Sequence, residues 1–290
     1  MSRQSAAAYN PSTAREPAEN ARPLRSGERT VDDMSAKKAS VAVWIVGAST
    51  AAVSVAGWLG IRAAQARVAS NAAILNETLP VNSKWWRDHA QEPGDLLYVA
   101  LGDSAAQGIG ASVPNRSYVG VIADHIRELT GGAVRVANLS VSGATVALAI
   151  ADQLPKLAAY SPDIVTVAIG ANDIADFDSA SFARGIRTVF AALPDGTIVA
   201  DLPCFYLPRN EKKVAIGNRI LREIASEFGL TVVPLHETMK RQGLRGVLTQ
   251  FATDLFHPND RGYRVWASAF IPTVTASVIE RFPVAESTIT

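Results

Sequence analysis

The chain has 290 residues, of which 48% are hydrophobic and 19% charged, a composition typical of a globular protein with a full core. Its formal net charge of +1 gives no concentrated positive charge, so we expect no nucleic-acid partner. The only cysteine, Cys204, excludes an intramolecular disulfide, and we interpret it as a small packed hydrophobe rather than a reactive thiol.

The amino-terminal part of the chain has two sections of different composition. Residues 1–38 mix Ser, Ala, Pro, Arg and Glu without apolar periodicity and predict a disordered tail. Residues 39–61 carry no charge and are long enough to cross a hydrocarbon core about 30 Å thick, so they predict a single transmembrane signal-anchor helix. Trp44 and Trp58 lie near its ends, where indoles favour the membrane interface. Within about fifteen residues of its ends, Lys and Arg are more numerous before this segment than after it, which predicts a cytoplasmic tail and an extracytoplasmic remainder.

Two other interpretations of residues 39–61 stay open. The sequence Ala64-Gln65-Ala66 fits a signal-peptidase site, so that the protein would be secreted after cleavage near Ala66, and the apolar run could also form a buried or peripheral helix. Residues 62–94 are typical of a helical continuation followed by a linker. The adjacent indoles of Trp85 and Trp86 could touch lipid or cover a site, but packing of the linker onto the following domain is the favoured interpretation.

From residue 95 onward, apolar runs of strand length alternate with amphipathic stretches of helix length. Strands are predicted at 96–101, 134–138, 164–169, 197–200 and 230–233. Helices are predicted at 118–129, 145–160, 181–192, 212–228 and 260–281, the last interrupted near Pro272. Near-continuous Val/Ile/Leu strands separated by helices predict a three-layer α/β/α sandwich with a mainly parallel, five-stranded sheet. This domain spans 95–283, and residues 284–290 form a short tail.

Polar segments marked by glycine follow the carboxyl ends of several predicted strands. Ser104 follows the first strand, Gly143 the second and Asn172 the third. Asp254 and His257 come in the longer segment after the fifth. Because parallel strands end at the same edge of a sheet, we expect these distant groups to converge there.

The types of these residues indicate nucleophilic chemistry. A serine hydroxyl needs an imidazole to remove its proton, and the imidazole works best when a carboxylate fixes its tautomer, a role that Asp254 could fill for His257 across one turn. The segments around Gly143 and Asn172 can supply N–H donors for a developing oxyanion. We interpret Asp103 as a cap of the following turn. The remaining histidines, which are His89, His125 and His236, are assigned surface or capping roles.

These blocks, in this order, resemble the SGNH (GDSL-type) family of esterases and lipases over roughly residues 96–282. The resemblance implies a flavodoxin-like sheet order and a catalytic group made of Ser104, Asp254 and His257. It also implies an oxyanion hole formed by the Ser104 and Gly143 backbones and the Asn172 side chain. Ala105 replaces the leucine of the Gly-Asp-Ser-Leu form, which leaves the chemistry intact but weakens any transfer of substrate preference.

The function expected from this resemblance is hydrolysis of carboxylic esters, of an acyl lipid or an acetylated glycan, through an acyl-enzyme on Ser104. No organic cofactor or metal is expected. Three alternatives stay open: acyl transfer by the same residues, an envelope-binding or scaffolding module that keeps the fold without turnover, and a metal-dependent phosphoesterase. In the last of these, the ligands would be Asp103, Asn172, Asp173, Asp254 and His257. The expected partners are a small-molecule or lipid ester and, through residues 39–61, the membrane; the sequence gives no indication of oligomeric state.

Overall fold

The computed structural model describes residues 77–282, together with Ser70. The predicted tail, the predicted transmembrane segment at 39–61 and the carboxyl-terminal tail lie outside the described residues. Within the described part of the chain, no helix combines the length and the apolar character needed to cross a membrane.

The centre of the domain is a sheet of five parallel strands in the order β2-β1-β3-β4-β5. This order is that of flavodoxin-like sheets, in which β2 is added on one side of β1 and the later strands on the other. The change of side leaves a crevice at the carboxyl ends of the strands. The strand bounds are Leu96–Gly102 (β1), Val134–Asn138 (β2), Ile164–Ala168 (β3), Ile198–Ala200 (β4) and Thr231–Val233 (β5). The five predicted strands are therefore confirmed to within one residue at each end.

The helices among the described residues cover both faces of the sheet. The α-helices are α1 (Leu79–His89), α2 (Ser104–Gln107), α3 (Tyr118–Thr130), α4 (Val146–Leu148), α5 (Leu154–Leu157), α6 (Ser179–Ala191), α7 (Pro208–Glu227), α8 (Leu235–Lys240), α9 (Gly243–Thr249) and α10 (Asp260–Arg281). A π-helical turn, Ala149–Gln153, joins α4 to α5, and short 3-10 turns lie at Pro114–Arg116 and Asn172–Ile174.

Two apolar cores lie on opposite faces of the sheet. Alternate residues of β1 feed them: Tyr98 and Ala100 lie in the core with α3 and α10, while Val99 and Leu101 lie in the core with α6 and α7. Side chains alternate across a strand, so a strand buried on both faces must be apolar throughout. The predicted three-layer α/β/α sandwich is confirmed.

The helices differ from the prediction in several places, and α2, α8 and α9 have no counterpart in it. The single helix expected at 145–160 is broken by the π-helical turn that contains Gln153. Helix α10 continues through Pro272, which is exposed, so that the missing N–H leaves a carbonyl that water can satisfy. The segment 62–94 contains helix α1, whose Trp86 is 2% exposed and packs in the core with α3 and α10, so the favoured interpretation that the paired indoles pack onto the domain is confirmed.

Candidate active site

Ser104 lies just beyond the carboxyl end of strand β1. Strand β1 ends at Gly102, where a side chain would meet the carbonyl oxygen of Ala168 at 2.9 Å, so only glycine fits this close approach. Asp103 follows as the N-cap of α2, and its Oδ1 accepts the Ala105 N–H at 2.9 Å. Ser104 is the first helical residue. The interpretation of Asp103 as a capping residue is confirmed.

Ser104, His257 and Asp254 form a continuous hydrogen-bonded series, although 153 residues separate the serine from the histidine. Ser104 Oγ lies 2.9 Å from His257 Nε2, and His257 Nδ1 lies 2.6 Å from Asp254 Oδ2. An ionised carboxylate can only accept, so the hydrogen of this imidazole lies on Nδ1 and Nε2 is left to accept the serine hydroxyl. The structure thus places the three predicted residues in the order that general-base activation requires.

The loop that carries Asp254 and His257 is stabilised mainly from within. Asp254 Oδ1 accepts the N–H groups of Phe256 and His257, both at 3.0 Å. The chain reaches this arrangement through Leu255, which has a φ of +56° although it is not glycine. Ala252 N–H donates to the His257 carbonyl at 2.8 Å and closes the loop. These contacts fix the carboxylate and the imidazole relative to each other.

Two buried carboxyl groups flank Ser104, and the pKa values of these groups shift in opposite directions. Burial raises the pKa of Asp103 to about 6, with the Ala105 amide partly opposing it. Burial also acts to raise the pKa of Asp254, but hydrogen bonds from the His257 ring and from backbone amides outweigh that penalty and lower it. Asp254 is therefore the carboxylate that stays ionised beside the imidazole, because its negative charge is better solvated by donors.

The predicted oxyanion donors lie in the loops beside Ser104. Gly143 has a φ of +75° and an exposed backbone, and among the described residues neither its N–H nor that of Ser104 has a hydrogen-bond acceptor. The side-chain amide of Asn172 donates to the Ala144 carbonyl at 2.9 Å and to Asp103 Oδ2 at 3.3 Å. Asn172 is therefore engaged, and its longer bond to Asp103 is the one that a stronger acceptor could replace.

Two buried glutamines that sequence reasoning missed hold this region together. Gln153, which is fully buried, accepts the Gly102 N–H at 3.0 Å and donates to the Gly102 carbonyl at 2.8 Å. Gln107 donates to the Ser140 carbonyl at 2.6 Å and so ties α2 to the segment that leads to Gly143. The π-helical turn sets the side-chain direction of Gln153, and nothing in the local sequence pattern indicates it.

The residues of the phosphoesterase alternative make other contacts. Asp173 accepts the Val146 N–H at 3.0 Å at the start of α4, a structural role. Among the described residues, the one group of three side chains spaced for a metal ion is Cys204, Glu211 and His236, which includes none of the predicted ligands. Hydrogen bonds to Glu211 explain why these side chains lie close together. Its carboxylate accepts His236 Nε2 at 2.7 Å and backbone N–H groups in the 205–206 segment.

The remaining histidines and the cysteine lie apart from Ser104 in their contacts. The His89 ring stacks on Trp85 with 3.5 Å between ring centroids, and His125 Nε2 lies 2.7 Å from Thr275 Oγ1. Cys204 is 6% exposed and packs in the apolar core, as predicted. Burial raises the pKa of its thiol to about 11, so the reactive thiolate form is disfavoured.

An α/β sandwich with a serine, an imidazole and a carboxylate hydrogen-bonded in series at the carboxyl edge of its sheet defines the class of α/β serine hydrolases. The model of the GDSL-like lipase/acylhydrolase family matches residues 100–265, which is more than half of the chain. The protein belongs to this family and is a carboxylic ester hydrolase. A search of curated proteins found no match.

Solved structures with the same fold include several hydrolases. An α/β hydrolase enzyme from the metagenome of Lake Arreo, Spain, is 21% identical, with 64% of this chain and 98% of the other aligned at a TM-score of 0.53. TesA is 22% identical over 62% of this chain and 99% of its own, also at 0.53. An acetylxylan esterase from Geobacillus stearothermophilus is 21% identical over 62% and 94%, at 0.50. At these identities the comparison establishes the fold.

Proposed function

We propose that the protein hydrolyses carboxylic esters through an acyl-enzyme on Ser104. The observation that carries the proposal is the 2.9 Å contact between Ser104 Oγ and His257 Nε2. In the first step, Nε2 takes the hydroxyl proton while Oγ attacks the ester carbonyl carbon, and a tetrahedral oxyanion forms. The imidazolium is stabilised by Asp254, whose carboxylate lies 2.6 Å from Nδ1.

The second part of the reaction returns the enzyme to its starting state. His257 gives its proton to the leaving alcohol as the bond between the carbonyl carbon and the alcohol oxygen breaks, leaving the acyl group on Ser104. A water molecule then loses a proton to Nε2 and attacks the acyl carbon. When the bond to Oγ breaks, the carboxylic acid leaves and the proton returns to Ser104.

The oxyanion is proposed to bind the N–H groups of Ser104 and Gly143 and the side-chain amide of Asn172. The two backbone groups have no acceptor among the described residues, so they are available without rearrangement. Asn172 would exchange its 3.3 Å bond to Asp103 for a bond to the oxyanion. A donor of this kind typically contributes about 2.7–4 kcal/mol to transition-state stabilisation.

Substrate and reaction partner are proposed only as classes. The exposed apolar side chains of Leu255 and Phe256 lie beside His257, which favours an ester with an apolar acyl part. An acetylated glycan is the other class, and one structural neighbour is named an acetylxylan esterase. Acyl transfer to an alcohol would use the same residues. Rates measured on p-nitrophenyl esters of increasing acyl length, with and without an added alcohol acceptor, distinguish these cases.

We propose further that residues 39–61 anchor the protein in a membrane, with the hydrolase domain on the extracytoplasmic side. The support is the uncharged run and the excess of Lys and Arg in the roughly fifteen residues before it over the same length after it. The expected result is full-length protein in the membrane fraction that resists extraction with high salt, and whose domain is digested by external protease. A mature amino terminus close to Ala66 would replace the anchor with a cleaved signal.

The central experiment compares three full-length proteins on p-nitrophenyl acetate. Ser104→Ala and His257→Ala are expected to abolish hydrolysis and labelling by a fluorophosphonate probe while leaving the thermal unfolding midpoint nearly unchanged. His125→Ala is the matched histidine control and is expected to retain activity, because its contact is to Thr275. Wild-type rates in both Ser104→Ala and His257→Ala would refute the proposed mechanism.

A further inference from the structure

Helix α1 makes buried hydrogen bonds to the end of the helix that begins with Ser104. The side-chain amide of Asn82 donates to the Gln107 carbonyl at 3.0 Å, and the indole N–H of Trp86 donates to the same oxygen at 3.1 Å. Asn82 is 6% exposed and Trp86 2%. Ser83 Oγ adds a bond of 3.2 Å to Gln107 Oε1. Helix α1 therefore contacts both the backbone and the side chain of Gln107.

Gln107 also connects to the segment that leads to Gly143. Its side-chain amide donates to the Ser140 carbonyl at 2.6 Å and to Ser140 Oγ at 3.1 Å. Asn138 at the end of β2 adds a bond from its amide to the Ala106 carbonyl at 2.8 Å. Gln107, at the end of the helix of Ser104, is thus held in place by contacts from α1 and from the loop of Gly143, a proposed oxyanion donor.

Helix α2 depends on such external contacts because it is too short to hold its own geometry. It has four residues, and an isolated single turn is unstable in water. Its last carbonyls have no partners within the helix, and the chain leaves through Gly108 in a left-handed conformation. The donors on the Gln107 carbonyl come from α1, so α1 helps to set the tilt of α2 and with it the position of Ser104 Oγ.

We propose that Asn82 and Trp86 are positioning residues for Ser104 that act through Gln107. The inference rests on the proposed function of Ser104 and extends the site to a helix that lies before residue 100, where the family match begins. Neither side chain bonds to Ser104, His257 or Asp254. The role assigned to them is to hold the hydroxyl at the distance and angle from which His257 can activate it, a geometry on which reaction rates depend steeply.

The adjacent indoles provide a matched pair of variants for the test. Trp86→Phe keeps an aromatic ring in the core but removes the N–H that bonds to Gln107. Trp85→Phe makes the same change on a half-buried ring that stacks on His89 and has no hydrogen bond from its N–H to any described residue. Both are made in the full-length chain. The readouts are kcat and KM for p-nitrophenyl acetate, the labelling rate of Ser104 by a fluorophosphonate and the thermal midpoint.

The expected result is a loss of reactivity in Trp86→Phe and none in Trp85→Phe. Trp86→Phe lowers kcat and the labelling rate about 10- to 100-fold, with KM within about two-fold of wild type, because the serine is misplaced rather than the substrate. Trp85→Phe stays within about two-fold in all of these quantities. Asn82→Leu, which removes the other donor, lowers the labelling rate in the same direction and serves as the second test when Trp86→Phe folds poorly.

A purely structural role predicts a different outcome. In that case Trp86→Phe and Asn82→Leu lower the thermal midpoint, but their folded fractions label at the rate of Trp85→Phe, and the inference is overturned. Failure of the underlying function is recognised separately, because wild-type protein would then neither hydrolyse the ester nor label at Ser104. If the wild type is active and the variants all label at equal rates, only the positioning role is overturned.

Discussion

The two halves of the active site are held in different ways. The nucleophile turn, residues 102–107, is bonded by side chains and segments that are distant in sequence, among them Gln153, Ser140 and Trp86. The acid–base loop, residues 251–258, is closed by its own contacts, such as those of Asp254 Oδ1 and the Phe251–Pro258 bridge. Loss of the distant contacts that hold the nucleophile turn should therefore loosen the fold, whereas loss of the carboxylate charge in the acid–base loop should alter reactivity with little effect on folding.

The largest expected effect is on catalysis in the acid–base loop. Asp254→Asn keeps a side-chain oxygen for the two backbone amides but loses the charge that fixes the imidazole tautomer, so we expect kcat to fall about 10⁴-fold. The free energy of unfolding at pH 7 should change far less than the activation free energy that this fall in kcat represents. Steady-state kinetics and urea unfolding measure the two quantities. Asp178→Asn, an exposed helix cap, is the control with unchanged kcat, and a loss under ten-fold in Asp254→Asn would contradict the assignment.

The next effect is on stability in the nucleophile turn. Gln153→Leu leaves the buried Gly102 N–H without an acceptor, so we expect the free energy of unfolding to fall by about 3 kcal/mol. Urea unfolding measures this loss. The neighbouring Asp152→Asn removes only a surface ion pair with Lys156 and should change the free energy by less than about 1 kcal/mol. Equal stabilities for the two variants would remove the distinction drawn between the regions.

A smaller effect concerns the two carboxyl groups. The pKa of Asp103 is raised on folding to about 6, so the folded state holds its proton more tightly and stability falls as pH rises from about 4 to 6. The pKa of Asp254 is lowered, so its contribution is present above about pH 4 and is lost in acid. Between pH 4 and 7, the free energy of unfolding of Asp103→Asn should rise relative to that of the wild type by about 2 kcal/mol. If the difference in unfolding free energy between the variant and the wild type does not change with pH, Asp103 does not titrate in this range.

The smallest expected effect tests the local strain of the acid–base loop. Leu255 is 68% exposed and adopts a left-handed conformation that costs most residues about 1 kcal/mol. Leu255→Asn tolerates this conformation, so we expect the free energy of unfolding, measured by urea unfolding, to rise by about 0.5–1 kcal/mol. Leu244→Asn, an exposed leucine in helix α9, is the control and should not stabilise.

The strands could be predicted because a parallel strand buried on both faces needs an unbroken apolar run, which the sequence displays directly, whereas their order was implied only by the family resemblance. The same runs place Ser104 and the Asp254–His257 pair at one edge. The supporting glutamines could not be predicted, because Gln107 and Gln153 are buried polar residues whose partners are backbone groups of distant segments. A sequence shows which residues are polar, but only the folded chain shows which backbone groups need them.

The amino-terminal side of the domain shows a similar limit. The predicted domain begins at residue 95, whereas Trp86 lies in its apolar core and bonds to Gln107. Helix α1 mixes polar and apolar residues, and only Asn82 and Trp86 are buried, so its pattern resembles that of a linker. The π-helical turn before α5 is likewise invisible, since it changes the hydrogen-bond spacing without changing the residue types.

Helix α10 starts immediately after the acid–base loop and runs for 22 residues, a length of about 33 Å. Its far end, at Arg281, bonds to the carbonyls of Asp163 and Asp195. Residue 282 therefore lies about a domain diameter from the imidazole of His257. A linker attached there would let the enzyme be fixed to a solid support with its catalytic edge facing the solution.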